Sequence, residues 1–226
     1  TRSGAVTKTG VKKFGTASGY FDGTDDYLTV PNSSDFAFGT DAFTIDCWVK
    51  TSATTLQKII DKYADGGAQV GFSIASNGTV TGYIWKSSYS INITSSAVVN
   101  DGNWHHVAFV VDSGGKSGRI CVDGAVTEGT SSTAVEATST GVLNIGRGYN
   151  DANRYNGYLD ELRISKGIAR WTSNFTPPSV PYGDYKTAGT RIKEVDISGA
   201  VAIGGTKIEW SKTTPANTAV KVETAL

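Results

Sequence analysis

The sequence is short of the residues that would carry several classes of protein. Methionine is absent, even at position 1, and this absence favours a piece of a longer protein. Lys plus Arg and Asp plus Glu both number 21, so the formal net charge is zero. No block of about five basic residues occurs, which argues against nucleic acid or anionic lipid as a partner. No apolar run reaches about eighteen residues, so membrane insertion is not expected.

Cysteine is also scarce. The two cysteines, Cys47 and Cys121, both lie in apolar strand patterns, whereas a fold built on disulfides would need many more. Two interpretations stay open. The cysteines are either two buried thiols that pack as small hydrophobic groups or the halves of one bridge between neighbouring strands. The sequence leaves their redox state undecided.

What the sequence does contain is glycine, serine, threonine and short runs of alternating apolar and polar residues. FTIDCWVK, residues 43–50, is a clear example of this alternation. Asn77 and Gly78 lie between two more such runs and are the preferred composition of a tight hairpin turn. About ten to thirteen short strands and no long helical pattern predict an all-β fold, in which two antiparallel sheets pack face to face.

Seven segments carry a resemblance to a known family. In chain order they are YFDGTDDYLTVP, AFTIDCWVK, GNWHHVAFVVD, ICVDG, LNIGRG, YNGYLDELRIS and RWTSNFTPP. Together they resemble the laminin-G-like, concanavalin A-like jelly-roll domains of bacterial secreted proteins and phage tail proteins. The resemblance covers about residues 17–178. It implies a two-sheet antiparallel jelly-roll sandwich.

The composition changes towards the end of the chain. Residues 1–178 are predicted to form the jelly-roll domain. Three of the five prolines lie in 175–189, so 179–189 is predicted to be an extended linker, because proline cannot donate hydrogen bonds to a neighbouring strand. Residues 190–226 alternate again but are too few for an independent core. They form either a short β extension of the domain or the start of a further module.

The acidic stretch FDGTDD, residues 21–26, is a candidate metal site. Calcium takes about six to eight oxygen ligands, and Gly23 lets the chain turn sharply enough to point a carbonyl inward. The family resemblance implies a structural Ca²⁺ between this loop and a late aspartate, with Asp22, Asp26 and Asp160 as ligands. The alternative is that these aspartates only favour turns, because their side chains cap the local backbone.

Two stretches have the composition of a sugar-binding surface, GYIWKSSYSIN at 82–92 and GRGYNDANRYNGY at 146–158. Sugar recognition needs flat aromatic groups and planar polar groups on loops held by a rigid sheet. The candidate carbohydrate-binding residues are Trp85, Tyr89, Arg147, Tyr149, Asn150, Asp151, Arg154 and Tyr155. The alternative for the second stretch is a solvated connection whose tyrosines lean on neighbouring strands. Trp85 belongs either to a groove or to the core.

Hydrolysis of glycans is disfavoured. Asp160 and Glu161 are adjacent, so on a strand their side chains point to opposite faces. An acid and nucleophile pair instead needs two carboxyls facing one sugar, roughly 5–9 Å apart. The related glucan hydrolases carry Glu-x-Asp-x-x-Glu, which is absent here. His105 and His106 are adjacent too, and we expect them in a core strand and not in a metal or catalytic site.

These observations predict a non-catalytic carbohydrate-binding or adhesion module within a larger phage tail or secreted surface protein, outside the cell or on a virion. The expected partners are a cell-surface or extracellular glycan and other subunits of a larger assembly. The alternative function is a purely structural virion or surface module, a spacer or decoration that binds only protein.

Overall fold

The described part of the chain is built almost wholly from strands. The computed structural model describes residues 2–64, 67–86, 88–134 and 136–182, without the side chains of 88–90. Within these ranges the one helical element is a 3-10 turn at Ser34–Phe36. No helix in the same ranges is long and apolar enough to cross a bilayer. The prediction for 190–226 lies outside the described residues, and of the predicted linker only 179–182 is described.

Two antiparallel sheets of seven strands each form the fold. The first sheet has the spatial order β1 (Arg2–Ser3), β4 (Tyr27–Val30), β13 (Leu143–Ile145), β6 (Gln57–Lys62), β7 (Gln69–Ile74), β8 (Thr79–Lys86) and β9 (Ser88–Val98). The second sheet has the order β12 (Ala125–Thr130), β11 (Ser117–Val122), β10 (His105–Val111), β5 (Phe43–Lys50), β14 (Asn156–Lys166), β3 (Ser18–Asp22) and β2 (Val6–Lys8). The predicted all-β fold is confirmed.

Strand β5 shows how the alternation of the sequence produces two buried faces. Ile45 and Cys47 point into the core between the sheets and have no exposed surface. Asp46 and Trp48, on the outer face of the second sheet, are also buried. The reason is that residues 167–182, the covering segment, fold back over this outer face after β14. Residues 43–49 of the strand are therefore buried on both faces.

The covering segment packs through aromatic side chains. The rings of Trp171 and Phe175 stack with their centroids 4.4 Å apart, and both pack against a small apolar cluster on β10 and β11 that contains Cys121. Both cysteines are buried and free, which corresponds to the first of the two interpretations left open by the sequence. Burial raises the pKa of Cys121 to about 12 and that of Cys47 well above its usual range. The two thiols therefore pack as small hydrophobic groups.

The covering segment ends in a polar cluster around Asp46. Arg163 donates to both carboxylate oxygens, with Nε–Oδ1 and Nη2–Oδ2 distances of 3.1 and 3.0 Å. The Tyr182 hydroxyl donates to Oδ2 of the same carboxylate and lies 3.0 Å from Nε2 of His106. Burial, followed by the charge of Asp46, raises the pKa of Tyr182. This cluster fixes the end of the covering segment to the second sheet.

The two adjacent histidines point to opposite faces of β10, as their alternation predicts. The His106 side chain has no exposed surface. The His105 ring lies between two carboxylates, with Nδ1 2.6 Å from Oδ2 of Asp123 and Nε2 2.9 Å from Oδ1 of Asp101. The hydrogen bond to Asp123 contributes most to raising the pKa of His105. His106 therefore packs among the aromatic rings of the outer face, whereas His105 bridges two aspartates beside the strand.

Candidate functional site

The register of the first sheet places five residues in one row across its outer face. Asn144, Asp61, Gly71, Tyr83 and Asn92 are successive partners on β13, β6, β7, β8 and β9. Cross-strand partners share a face of the sheet. The isoleucines that neighbour this row on β6 and β13 point into the core. The row therefore faces away from the sandwich interior.

Gly71 lets the Tyr83 ring lie against the sheet. A Cβ atom at Gly71 would come within 2.1 Å of the ring's Cζ. The Tyr83 hydroxyl accepts a hydrogen bond from Nζ of Lys58, and this ammonium lies 4.5 Å from the ring centroid. Burial lowers the pKa of Lys58, and the nearby carboxylate of Asp61 opposes that shift. The buried ammonium of Lys58 and the ring of Tyr83 thus form the layer of the outer face that lies directly on the sheet.

Asp61 connects the sheet to the loop between β13 and β14. Its Oδ1 accepts from Nε2 of Gln69 at 2.6 Å, and its Oδ2 accepts from the backbone N–H of Tyr149 at 3.0 Å. Burial raises the pKa of Asp61, while Lys58, Gln69 and the Tyr149 N–H oppose the shift. The carboxylate therefore holds the start of the loop, and with it the Tyr149 ring, over the outer face.

Three aromatic side chains, Trp85, Tyr63 and Tyr149, stand beside this carboxylate and are called the aromatic triad below. The Tyr63 centroid lies 6.3 Å from that of Trp85 and 4.5 Å from that of Tyr149. The interplanar angles are 57° and 56°, so the rings form an angled surface. Tyr149 is 50% exposed, and the other two are half-buried. Tyr63, which the sequence analysis missed, joins two predicted residues into one accessible surface.

Arg147, Asp151 and Arg154 brace the loop from within. Nη1 of Arg147 and Nη2 of Arg154 both donate to Oδ1 of Asp151, at 2.6 and 2.7 Å. These contacts, led by the hydrogen bond from Arg147, lower the pKa of Asp151. The Arg147 guanidinium also lies 3.5 Å from the Tyr27 ring centroid. The three charged residues thus bind one another. Asn150, which lies between Arg147 and Asp151 in the chain, is exposed.

Tyr155 does not belong to the exposed surface. Its side chain is fully buried and packs edge-to-face against Phe21, with the ring centroids 5.8 Å apart. The Tyr155 N–H donates to the carbonyl of Gly146 at 2.9 Å, which closes the loop and turns the ring inward just before β14. The prediction that Tyr155 contacts sugar is corrected: it is a core residue.

Tyr89 is the remaining predicted sugar contact. Its backbone is opposite Trp85 in the pairing of β8 and β9. Its side chain lies outside the described part of the chain. The predicted role of Tyr89 therefore stays a prediction.

The acidic loop after β3 brings three carboxylates together. One oxygen each from Asp22, Asp25 and Asp26 lies within 4.8 Å of the others. Part of this set is used in the turn, because Oδ1 of Asp22 accepts the Thr24 N–H at 2.7 Å and Oδ2 of Asp26 accepts the Asp22 N–H at 2.8 Å. The oxygens that remain are donors of the kind that a hard cation such as Ca²⁺ takes. The carboxylate oxygens of this loop are therefore ligands of the type that calcium binds.

Asp160 is not part of this acidic group. Its Oδ2 accepts the backbone N–H groups of Lys13 and Phe14, at 2.8 and 3.1 Å. On β14 it is four residues beyond Asn156, the partner of Asp22, which is roughly 13 Å at the usual strand rise. The prediction of Asp160 as a ligand beside Asp22 is therefore corrected. Its carboxylate ties the segment before β3 to the second sheet.

Glu161, the acid next to Asp160, has a structural contact of its own. Its Oε2 accepts the backbone N–H of Tyr182 at 2.5 Å. It lies in an irregularity of the pairing of β14 with β5 and has a φ of 51°. Asp160 thus holds the segment before β3, and Glu161 holds the end of the covering segment.

A family comparison agrees with this architecture. The model of the laminin G family, described as the concanavalin A-like lectin/glucanases superfamily, matches residues 22–170. The chain belongs to this superfamily. The predicted family and its jelly-roll sandwich are confirmed. No curated protein is significantly similar to the chain in amino-acid sequence.

Solved structures of the concanavalin A-like fold are similar to the chain at low identity. Domain 4 of AbnA, a GH43 extracellular arabinanase from Geobacillus stearothermophilus, in complex with arabinotriose, is 18% identical with a TM-score of 0.60 over 73% of this chain and 76% of that one. The binding domain of botulinum neurotoxin DC in complex with SialylT is 12% identical, with a TM-score of 0.57 over 74% and 42%. Domains LG4-5 of the mouse laminin α1 chain are 15% identical, with a TM-score of 0.53 over 66% and 40%.

These three similarities establish a shared fold. The alignments span less than half of the neurotoxin and laminin chains. The superfamily's name covers both lectins and glucanases. What this lectin/glucanase domain does therefore has to be inferred from its own side chains.

Proposed function

We propose that the chain is a non-catalytic carbohydrate-binding module that holds a cell-surface or extracellular glycan on the outer face of its first sheet. One observation carries the proposal: the aromatic triad, with Tyr149 exposed and the other two rings half-buried, stands beside the buried Asp61 and its partner Gln69. Aromatic rings offer a sugar a large apolar face at low entropic cost, while tyrosine hydroxyls bond its polar groups. A rigid sheet and a braced loop hold these groups in place.

Similar structures support sugar binding as a use of this fold. The AbnA domain was solved in complex with arabinotriose and the neurotoxin domain in complex with SialylT. In the present chain the buried carboxylate under Tyr149 and the ring of Tyr63 support the position of the site. The two acids of β14 are taken by backbone contacts, which supports binding without cleavage.

The module works in our proposal as one section of a larger phage tail or secreted surface protein. A single surface of three aromatic rings gives weak affinity. Display of several copies in one assembly raises the effective concentration of the second and later binding events, and so the overall avidity. Location outside the cell or on a virion follows from this proposed role.

Alanine substitutions in the aromatic triad test the site. On a glycan array probed with the whole chain, Tyr63→Ala, Trp85→Ala and Tyr149→Ala are each expected to weaken binding about tenfold or more, because each removes a stacking face. Tyr20→Ala is the matched control: its half-exposed ring packs at a 46° tilt against Tyr158, with the centroids 5.0 Å apart, on the outer face of the second sheet. It is expected to bind as the unchanged chain does.

Two results would contradict the proposal. Equal weakening by Tyr20→Ala would trace the loss to stability and not to the site. A folded chain that binds no glycan on the array or on host cells would favour the alternative, a structural spacer or decoration module that binds only protein.

We also propose that the acidic loop binds a structural Ca²⁺ through Asp22, Asp25 and Asp26. A ligand that binds only the folded state stabilises it by about 2.7 kcal/mol at about 100 times its Kd. Added calcium is therefore expected to raise the Tm by several degrees, and a chelator to reverse the rise. The double substitution Asp22→Asn with Asp25→Asn should abolish the shift, whereas Asp41→Asn, an exposed aspartate before β5, should not. A Tm that calcium leaves unchanged would refute this site.

A further inference from the structure

We infer that the site on the first sheet selects uncharged sugars over acidic ones. The inference rests on the proposed function and concerns the chemical class of the glycan. It follows from the charged side chains around the aromatic triad, which are all engaged inside the protein in the part of the chain that the structure describes.

Asp151 engages both arginines of the loop, and Nη1 of Arg154 is buried without a hydrogen-bond partner. Both donate to the same oxygen of Asp151, and Arg147 donates in addition to Oδ1 of Asn144 at 3.0 Å. Their guanidinium groups lie 3.5 and 5.3 Å from the ring centroid of Tyr27. A sugar carboxylate would have to displace a protein carboxylate that holds both cations at once. Arginine, the usual partner of acidic ligands, is thus withdrawn from the ligand.

The remaining cations on this side are balanced or engaged as well. Lys58 is buried with its ammonium on the Tyr83 hydroxyl, and the charge of Asp61 acts on it. An acidic sugar above this pair would meet attraction from Lys58 and repulsion from Asp61, which largely cancel. Lys86, which follows Trp85, is not free either. Each of these cations therefore already has an interaction within the described part of the protein.

The groups that are accessible favour a neutral ligand. The π face of an aromatic ring carries partial negative charge. It attracts the weakly positive C–H face of a neutral sugar and repels a carboxylate. Around Tyr149 the exposed polar side chains are the neutral amide of Asn150 and the carboxylate of Asp151, which repels an acidic ligand. Stacking together with neutral hydrogen bonds is the chemistry of an uncharged oligosaccharide.

Matched pairs of glycans test the inference. The whole chain is titrated with oligomers of galactose against galacturonic acid, and with glycans carrying sialic acid against the same glycans without it. We expect binding to the neutral member of at least one pair, about tenfold or more tighter than to the acidic member, and unchanged between about 0.05 and 0.5 M salt, because screening acts only on charged contacts. Preference for an acidic member, or affinity that falls with salt, would overturn the inference while leaving the proposed function intact. Binding to no glycan would instead defeat the proposed function.

Asp151→Asn supplies a second measurement. The substitution releases both arginines, so the ratio of acidic to neutral binding is expected to rise about tenfold, in keeping with the strength of a hydrogen bond to a charged group. Asp41→Asn, which removes one negative charge from an exposed site elsewhere, should leave the ratio unchanged. An unchanged ratio in Asp151→Asn would show that the arginine brace does not exclude acidic sugars.

Discussion

Asp46→Ala is expected to lower the free energy of unfolding by about 3–5 kcal/mol, the usual cost of removing one partner from a buried ion pair. The Asp46 side chain has no exposed surface, and its two oxygens accept from Arg163 and from Tyr182. Without the carboxylate, the half-buried Arg163 guanidinium and the Tyr182 hydroxyl lose their acceptor. The covering segment would then lose one of its contacts with the second sheet. Urea denaturation of the whole chain measures the change.

An ion pair whose carboxylate is partly exposed is the control for Asp46. Asp112 accepts from Nη1 of Arg119 at 2.6 Å, and both side chains are partly exposed. Asp112→Ala should cost less, about 1 kcal/mol, because 25% of the Asp112 side chain is exposed and solvent competes for its charge, whereas Asp46 is fully buried. Tyr182→Phe, which removes a single hydroxyl from the cluster, should fall between the two. Equal losses for Asp46→Ala and Asp112→Ala would show that the covering segment does not depend on the cluster.

Strand β5 shows how much of the fold local sequence could predict. Alternation alone assigned Ile45 and Cys47 to one face and Asp46 to the other, and this division is what the structure has. It could not show that both faces are buried. That depends on the covering segment, whose contact with Asp46 joins residues 136 positions apart. Long-range contacts of this kind leave no periodic signal in a single sequence.

The site was predicted only in part for the same reason. Trp85 and Tyr149 stood out because each lies in a stretch of suitable composition. Tyr63 and Asp61 did not, because their stretch, LQKIIDKY, resembles a core strand that ends in a turn. The signal that was available is Asp61 itself, a charge inside an apolar strand. Its role became visible only once the loop placed the Tyr149 N–H on its carboxylate.

The acidic residues show a third limit of sequence reasoning. The aspartates within 21–26 are close in sequence, so a carboxylate group there could be predicted, but Asp25, which completes the group, was not among the predicted ligands. Asp160 was assigned by resemblance, but its carboxylate receives the N–H groups of Lys13 and Phe14. That contact depends on the path of the chain before β3, for which the sequence offers no strand pattern. A residue type at a matching position therefore does not determine which partner its side chain finds.

Tyr155→Ala is expected to destabilise the fold by about 3–5 kcal/mol, as truncation of a buried aromatic side chain does. The ring fills space against Phe21, and its hydroxyl donates to the carbonyl of Tyr158 at 3.1 Å. Denaturant unfolding of the whole chain measures the loss. Tyr149→Ala, only six residues away, should leave stability within about 1 kcal/mol, because half of that side chain is already exposed.

The effects on glycan affinity should be the reverse of the effects on stability: substitution of Tyr149 should weaken binding, and substitution of Tyr155 should not. Tyr155→Phe keeps the ring and gives up one hydrogen bond, so it should cost about 1 kcal/mol of stability and leave glycan affinity unchanged. Tyr149→Ala should lose affinity and keep stability. Loss of affinity in a stable Tyr155→Phe chain would mean that the hydroxyl reaches the ligand and that the loop opens to bind. Loss of stability at Tyr155 alone and loss of affinity at Tyr149 alone would show that one loop supplies both a core residue and a sugar contact. The turn closed by the hydrogen bond from the Tyr155 N–H to the Gly146 carbonyl separates the two.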